Sequence, residues 1–127
     1  MSWTDKYIGI PYRDMDCAEF IEHVAKYEQL LNQDFPKRAN RNLDQRSNLI
    51  RDSMAAFVNK ASGPADKCPV LLEMAGTLHV GLCAEINGEW YLLHSNAKNG
   101  SSNLARLDQY KQYVIGYYEF KHEIIPA

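Results

Sequence analysis

The chain has few cysteines: three in 127 residues, Cys17, Cys68 and Cys83, with no CxxC pair among them. An odd, scattered set of this kind argues against a disulfide framework and for a reducing compartment or a reactive thiol. No apolar stretch approaches the roughly 20 residues a membrane-spanning helix needs. The opening MSWTDKY lacks the basic region and apolar run of a secretory signal, so the expectation is a protein that is cytoplasmic as synthesised. Positive charge is not in excess, since 14 Lys and Arg stand against 16 Asp and Glu for a net charge of −2. Neither nucleic acid nor an anionic membrane is therefore an expected partner. Internal repeats and low-complexity tracts are missing. So are the close HxH and HExxH spacings of common zinc sites.

What is present is an ordinary globular balance, with 46% hydrophobic and 24% charged residues, and a length that fits one domain over residues 1–127. After Asp16 the apolar residues Ala18, Phe20, Ile21, Val24, Tyr27, Leu30 and Leu31 recur at helical spacing. The pattern predicts a helix from about Cys17 to Asn32, with Asp16 as N-cap, Glu19 as its capping-box partner and Pro36 marking the break. A second helix is expected near Gln45–Asn59, and Ala61–Pro69 reads as a turn region by its Gly and Pro content. The period then changes. Val70–Ala75, Leu78–Ile86 and Glu89–Asn96 read as strands, the last two joined by Asn87-Gly88, a strong two-residue hairpin signal. Asn96–Asn103 reads as loop and Ala105–Tyr113 as a connection of unassigned type. Val114–Ile125 reads as a final strand by its β-branched and aromatic content. Helices first and strands afterwards predict an α+β domain with helices packed on an antiparallel sheet.

One constellation could carry chemistry. Cys17 stands at a predicted helix start, where unpaired backbone N–H groups and the helix dipole favour a thiolate, the form that acts as nucleophile. The plain alternative is a small buried residue. A base is available on a strand: His79, with the small residues Thr77 and Gly81 as its neighbours by alternation. Pairing about the Asn87-Gly88 turn sets Glu85 opposite Trp90, Leu82 opposite Leu93 and Gly81 opposite His94. His79 then lies diagonally from His94 on the same face, within reach of a side-chain hydrogen bond. That is the arrangement of a base and its orienting partner in Cys–His catalysis. The alternatives are two strand histidines bonded in a half-buried sheet, or a zinc site built from one Cys and two His. His23 and His122 read as surface residues.

The stretch YIGIPYRDMDCAEFI resembles the nucleophile block of the NlpC-like cell-wall cysteine peptidases, a papain-like family that includes phage tail-associated peptidoglycan hydrolases. LHVGLCAEINGEWYLLHS is similar to that family's His-Val-Gly block followed by a turn and a second histidine, and VIGYYEF resembles its closing strand. The resemblance covers both ends of the chain and leaves Lys37–Lys60 unmatched. It departs from the family in the short insert RDM before Asp16, in Ala18-Glu19 after the cysteine, and in ADKCPVLLEM where a Gly-Asp usually opens the first strand. It implies a papain-like fold, Cys17 as nucleophile, His79 as general base, and His94 as the residue orienting His79. Tyr12 and Asp16 are implied beside the substrate, which would be a peptidoglycan stem peptide cleaved at an amide. Neither cofactor nor metal is implied. The implied partners are phage tail proteins or a secretion apparatus that delivers the enzyme to a cell wall. Two other classes share the pattern: an acyltransferase or thioesterase using the same dyad, and a non-catalytic tail-assembly or interaction module. In the module, Trp90, Tyr91, Tyr117, Tyr118 and Phe120 would form a binding face.

Overall fold

The computed structural model describes residues 2–33, 50–52 and 54–121. A 3-10 turn at Asp5–Tyr7 precedes helix α1 (Cys17–Tyr27), and six strands follow: β1 (Val58–Ala61), β2 (Pro69–Met74), β3 (Thr77–Ile86), β4 (Glu89–Asn96), β5 (Ser101–Arg106) and β6 (Val114–Phe120). A seven-residue 3-10 helix at Leu107–Tyr113 joins β5 to β6, and residues 50–52 and 54–57 are helical. The strands form one sheet in the order β1-β6-β2-β3-β4-β5, and every pairing in it is antiparallel. The α+β class expected from the sequence is what the chain adopts. Among the described residues no helix is long and apolar enough to cross a membrane.

Helix α1 begins where the sequence places it. The Asp16 carboxylate accepts from Glu19 N at 3.0 Å, and Glu19 Oε1 accepts from Asp16 N at 3.2 Å, closing a capping box. It ends at Tyr27, well short of the expected Asn32. Gln29 takes a left-handed φ of 62°, and Leu30 N donates back to Ala25 O at 2.7 Å, so the last carbonyls are satisfied by a Schellman-like closure without a glycine. The chain turns there, and Leu31 past the turn is buried in the same core as Phe20, Ile21 and Val24. Beyond it, Glu28 is held by Tyr7 Oη at 2.5 Å, Lys67 Nζ at 3.0 Å and Lys6 Nζ at 3.1 Å, tying the helix end to the N-terminal segment and the β1–β2 connection.

The three strands expected from periodicity are present within a residue or so, and β4 matches at both ends. Asn87 and Gly88 have φ of 52° and 80°, as a type I′ hairpin requires, and Ala75-Gly76 repeats the geometry between β2 and β3. Two strands were not expected. Val58 and Asn59 belong to β1 rather than to a helix, because Val58–Ala61 pair with Tyr117–Phe120. Ser101–Asn103 belong to β5 rather than to a loop, because they pair with His94–Asn96. Both are edge strands whose backbone pairing, not their own apolar pattern, makes them strands. The Pro36 break, His122, the first part of the Gln45–Asn59 helix and the end of the Val114–Ile125 strand lie outside the described residues.

Alternation divides the sheet into two buried faces. Leu71, Leu78, Val80, Leu82 and Leu93 pack against Phe20, Ile21 and Val24 of α1, with Phe57 and Phe120 in the same core. Val70, Leu72, Cys83 and Leu92 lie on the other face under Leu107 and Tyr110 of the 3-10 helix. Trp90 and Tyr117 pack on this second core, whereas Tyr118 and Phe120 belong to the first. Four of the five aromatic residues are thus divided between two cores instead of lining one binding face.

Candidate functional site

Pairing of β3 with β4 runs from Ile86–Glu89 to Leu82–Leu93, the register expected from the hairpin. Gly81 then falls beside His94: a Cβ on Gly81 would lie 3.2 Å from His94 Cβ and 3.0 Å from Leu93 O. His79, two residues back on the same face, reaches diagonally across, and its Nε2 lies 2.7 Å from Nδ1 of His94. The two rings meet edge to face, with centroids 5.0 Å apart. His94 is fully buried and His79 nearly so. Burial pushes the His94 imidazole down to about 4, so it is neutral near pH 7 and carries a single ring N–H. Asn103, its partner on β5, pulls weakly upward but makes no well-formed hydrogen bond with it.

Tyr12 and His79 line one cleft of about 370 Å³, together with Thr77, Leu78, Asn96 and Lys98. The segment carrying Tyr12 is an appendage to the sheet. Gly9 N donates to Ser102 O at 3.0 Å, Pro11 bridges Ser101, and Tyr12 N donates to Gly100 O at 2.9 Å. Two buried serines anchor it. Ser102 Oγ donates to Tyr7 O at 2.6 Å and accepts from Ile10 N at 2.8 Å, while Ser95 Oγ donates to Met15 O at 2.8 Å. The residues leading into Cys17 are therefore fixed at the end of β4 that carries His94.

Cys17 is the first residue of α1 and is 1% exposed. Asp16 is also buried, with its carboxylate engaged in the capping box. The two halves of the expected constellation approach from different sides. Cys17 belongs to the core between α1 and the sheet, whereas His79 and His94 share the face of Leu72, Cys83 and Leu92. The structure brings His79 to His94 and Tyr12 to His79. It places Asp16 and Cys17 at the helix start, around the end of the sheet. His23 is half-buried against Tyr7, at a centroid distance of 6.1 Å, and is not the surface residue expected.

The remaining thiols have other surroundings. Burial raises the Cys83 thiol to about 12, and burial followed by the nearby Glu119 and Asp66 carboxylates raises Cys68. None of the three cysteines forms a disulfide. Among the described residues no group of three His, Cys, Asp or Glu side chains converges as metal ligands. Sequence reasoning missed Ser95, Ser102, Asn103 and Tyr110. Of these only Ser95 carried a signal, because the residue after a strand histidine must point to the opposite face, here toward the N-terminal segment.

No family model, curated protein or solved structure matches this chain.

Proposed function

We propose that this protein is a cysteine amidohydrolase with a papain-like arrangement, acting on an amide of a peptidoglycan stem peptide. The observation that carries the reading is the buried His79–His94 pair, 2.7 Å apart and opening onto a cleft shared with Tyr12. A ring-to-ring hydrogen bond of this kind couples the tautomer of one imidazole to that of the other, which is what a general base requires of its orienting partner. The capped start of α1 supplies the other half: N–H groups that favour a thiolate at Cys17 and an oxyanion beside it. The choice of a cell-wall peptide as substrate rests on the motif resemblance.

In the reaction, His79 Nδ1 takes the thiol proton and Cys17 Sγ attacks the carbonyl carbon. Collapse of the tetrahedral intermediate breaks the C–N bond as Nδ1–H protonates the departing amine, leaving a thioester. Water, deprotonated by His79, then attacks the thioester carbonyl, releasing the acid and regenerating the thiol. His94 holds the far nitrogen of His79 throughout. Tyr12 positions substrate in the cleft. For this reaction thiolate and imidazole must meet around the edge of the sheet formed by the start of β3 and the end of β4, near which the Ser95–Met15 bond holds the segment before Cys17. Delivery by a phage tail or a secretion apparatus would bring such an enzyme to its wall.

The rival reading, a non-catalytic interaction module, draws on the placement of the histidines on the face opposite α1 and on the burial of Cys17. One experiment separates the two. Cys17→Ala is expected to abolish turnover of purified peptidoglycan while leaving the unfolding midpoint near that of the parent. Equal turnover by variant and parent, or none by the parent, refutes the enzymatic reading.

A further inference from the structure

The His79–His94 contact admits two proton arrangements, and only one of them makes His79 a base. If His94 carries its proton on Nε2, its Nδ1 accepts from Nε2–H of His79, and His79 Nδ1 has a lone pair to receive a proton. If His94 carries its proton on Nδ1, it donates to His79, whose own proton must then sit on Nδ1. The tautomer of His94 is decided by whatever faces its other nitrogen. That nitrogen, Nε2, is buried and has no hydrogen-bond partner among the described residues. Asn103 stands across from it on β5, but its amide Nδ2 is turned to Ser101 O, at 3.4 Å. What does lie against His94 is an aromatic ring: Tyr110, on the 3-10 helix Leu107–Tyr113, with centroids 5.2 Å apart and planes at 78°.

We infer that Tyr110 is a positioning residue whose ring face receives the Nε2–H of His94 and so selects the tautomer that leaves His79 Nδ1 able to accept a proton. An aromatic face is electron-rich, so it attracts an N–H edge and repels a nitrogen lone pair. The contact thus discriminates between the two arrangements, which a merely space-filling side chain would not do. It also gives a buried donor that lacks a well-formed hydrogen bond an acceptor beside it, the competing group being the Asn103 side chain, which pulls the His94 imidazole upward. The ring face is needed and the hydroxyl is not. Its consequence for rate rests on the proposed function, but the tautomer itself does not.

Long-range 1H–15N correlation spectra of the 15N-labelled protein at neutral pH test it. They are expected to show His94 Nε2 protonated and Nδ1 unprotonated in the parent and in Tyr110→Phe, with Tyr110→Leu moving toward a mixture. In kinetics, Tyr110→Phe should match the parent, and Tyr110→Leu should lose about two- to fivefold in kcat with KM unchanged, the range expected for one weak donor–π contact. A parent His94 protonated on Nδ1, or a tautomer that Tyr110→Leu leaves unchanged and Asn103→Ala reverses, overturns the inference. If Tyr110→Leu does not fold, Asn103→Ala decides it in its place: a His94 still protonated on Nε2 supports the ring contact, and a reversed tautomer overturns it. An inactive parent with the expected spectrum would fell the enzymatic reading and leave the Tyr110 contact standing.

Discussion

Replacing Gly81 by alanine should destabilise the protein although the residue lies in a β-strand where any side chain fits the backbone. Two effects oppose one another. Alanine restricts the unfolded chain, which by itself stabilises by about 0.4–1 kcal/mol. Against that, the new methyl group would overlap Leu92 Cδ1 and would lie 3.0 Å from Leu93 O and 3.2 Å from His94 Cβ. Leu92 can swing its terminal methyl only within a core where it is fully buried, and the Leu93 carbonyl belongs to the β3–β4 ladder and cannot rotate away. Overpacking of this kind typically costs about 1–3 kcal/mol, so the net loss should be about 0–2.6 kcal/mol, centred at about 1.3 kcal/mol. The same push moves His94 away from His79 and should weaken their 2.7 Å contact. Gly63, with open space around it and no positive φ, provides the control: Gly63→Ala should be neutral or gain up to about 1 kcal/mol. Urea denaturation of the three proteins measures both. A Gly81→Ala variant as stable as Gly63→Ala would refute the close approach of β3 and β4 at the histidine pair.

The two histidines should differ in severity. His79→Ala should be inactive, losing about 10²–10⁴-fold or more with its general acid–base role, whereas His94→Asn or His94→Gln should keep measurable activity and His94→Ala less. Added chelator should change none of these rates, and steady-state kinetics on the purified variants checks all of it. The Cys68→Ser/Cys83→Ala double variant should retain most activity, because burial holds both native thiols above their ordinary range; a preparation as inactive as Cys17→Ala would contradict this. Acid should act in two windows. His94, lowered from 6.5 to about 4, is neutral when folded, so stability is full above about pH 6.5 and falls by at most about 1.4 kcal/mol per unit down to about pH 4. Glu28 would be raised by burial alone, but Tyr7, Lys67 and Lys6 hold it at about 2. Its contribution is therefore present above about pH 4.5 and lost as pH falls toward 2. Urea midpoints of the parent, His94→Gln and Glu28→Gln across pH 3–8 should show the upper window flattened in the first variant and the lower one in the second.

Much of the sheet was legible because its signals are local. The 2-residue period of β2, β3 and β4 and the left-handed demand of Asn87-Gly88 set the strands and the β3–β4 register, and that register alone put His79 diagonal to His94. The capping box at Asp16 and Glu19 likewise lies within four residues of chain and fixes where α1 begins. Its end was not legible, because a left-handed Gln29 is held by tertiary bonds from Glu28 to Tyr7, Lys6 and Lys67 rather than by a glycine. The edge strands β1 and β5 escaped because backbone pairing makes them strands: β1 pairs with the distant Tyr117–Phe120, and β5 folds back on Tyr91–Asn96 across residues 97–100 without an apolar alternation of its own. Periodicity shows which residues share a face but not which element covers that face. Only the packed structure decided that α1 covers the Val80 and Leu82 side while the 3-10 helix sets Tyr110 against His94, since that choice depends on how a connection of seven residues folds back over the sheet.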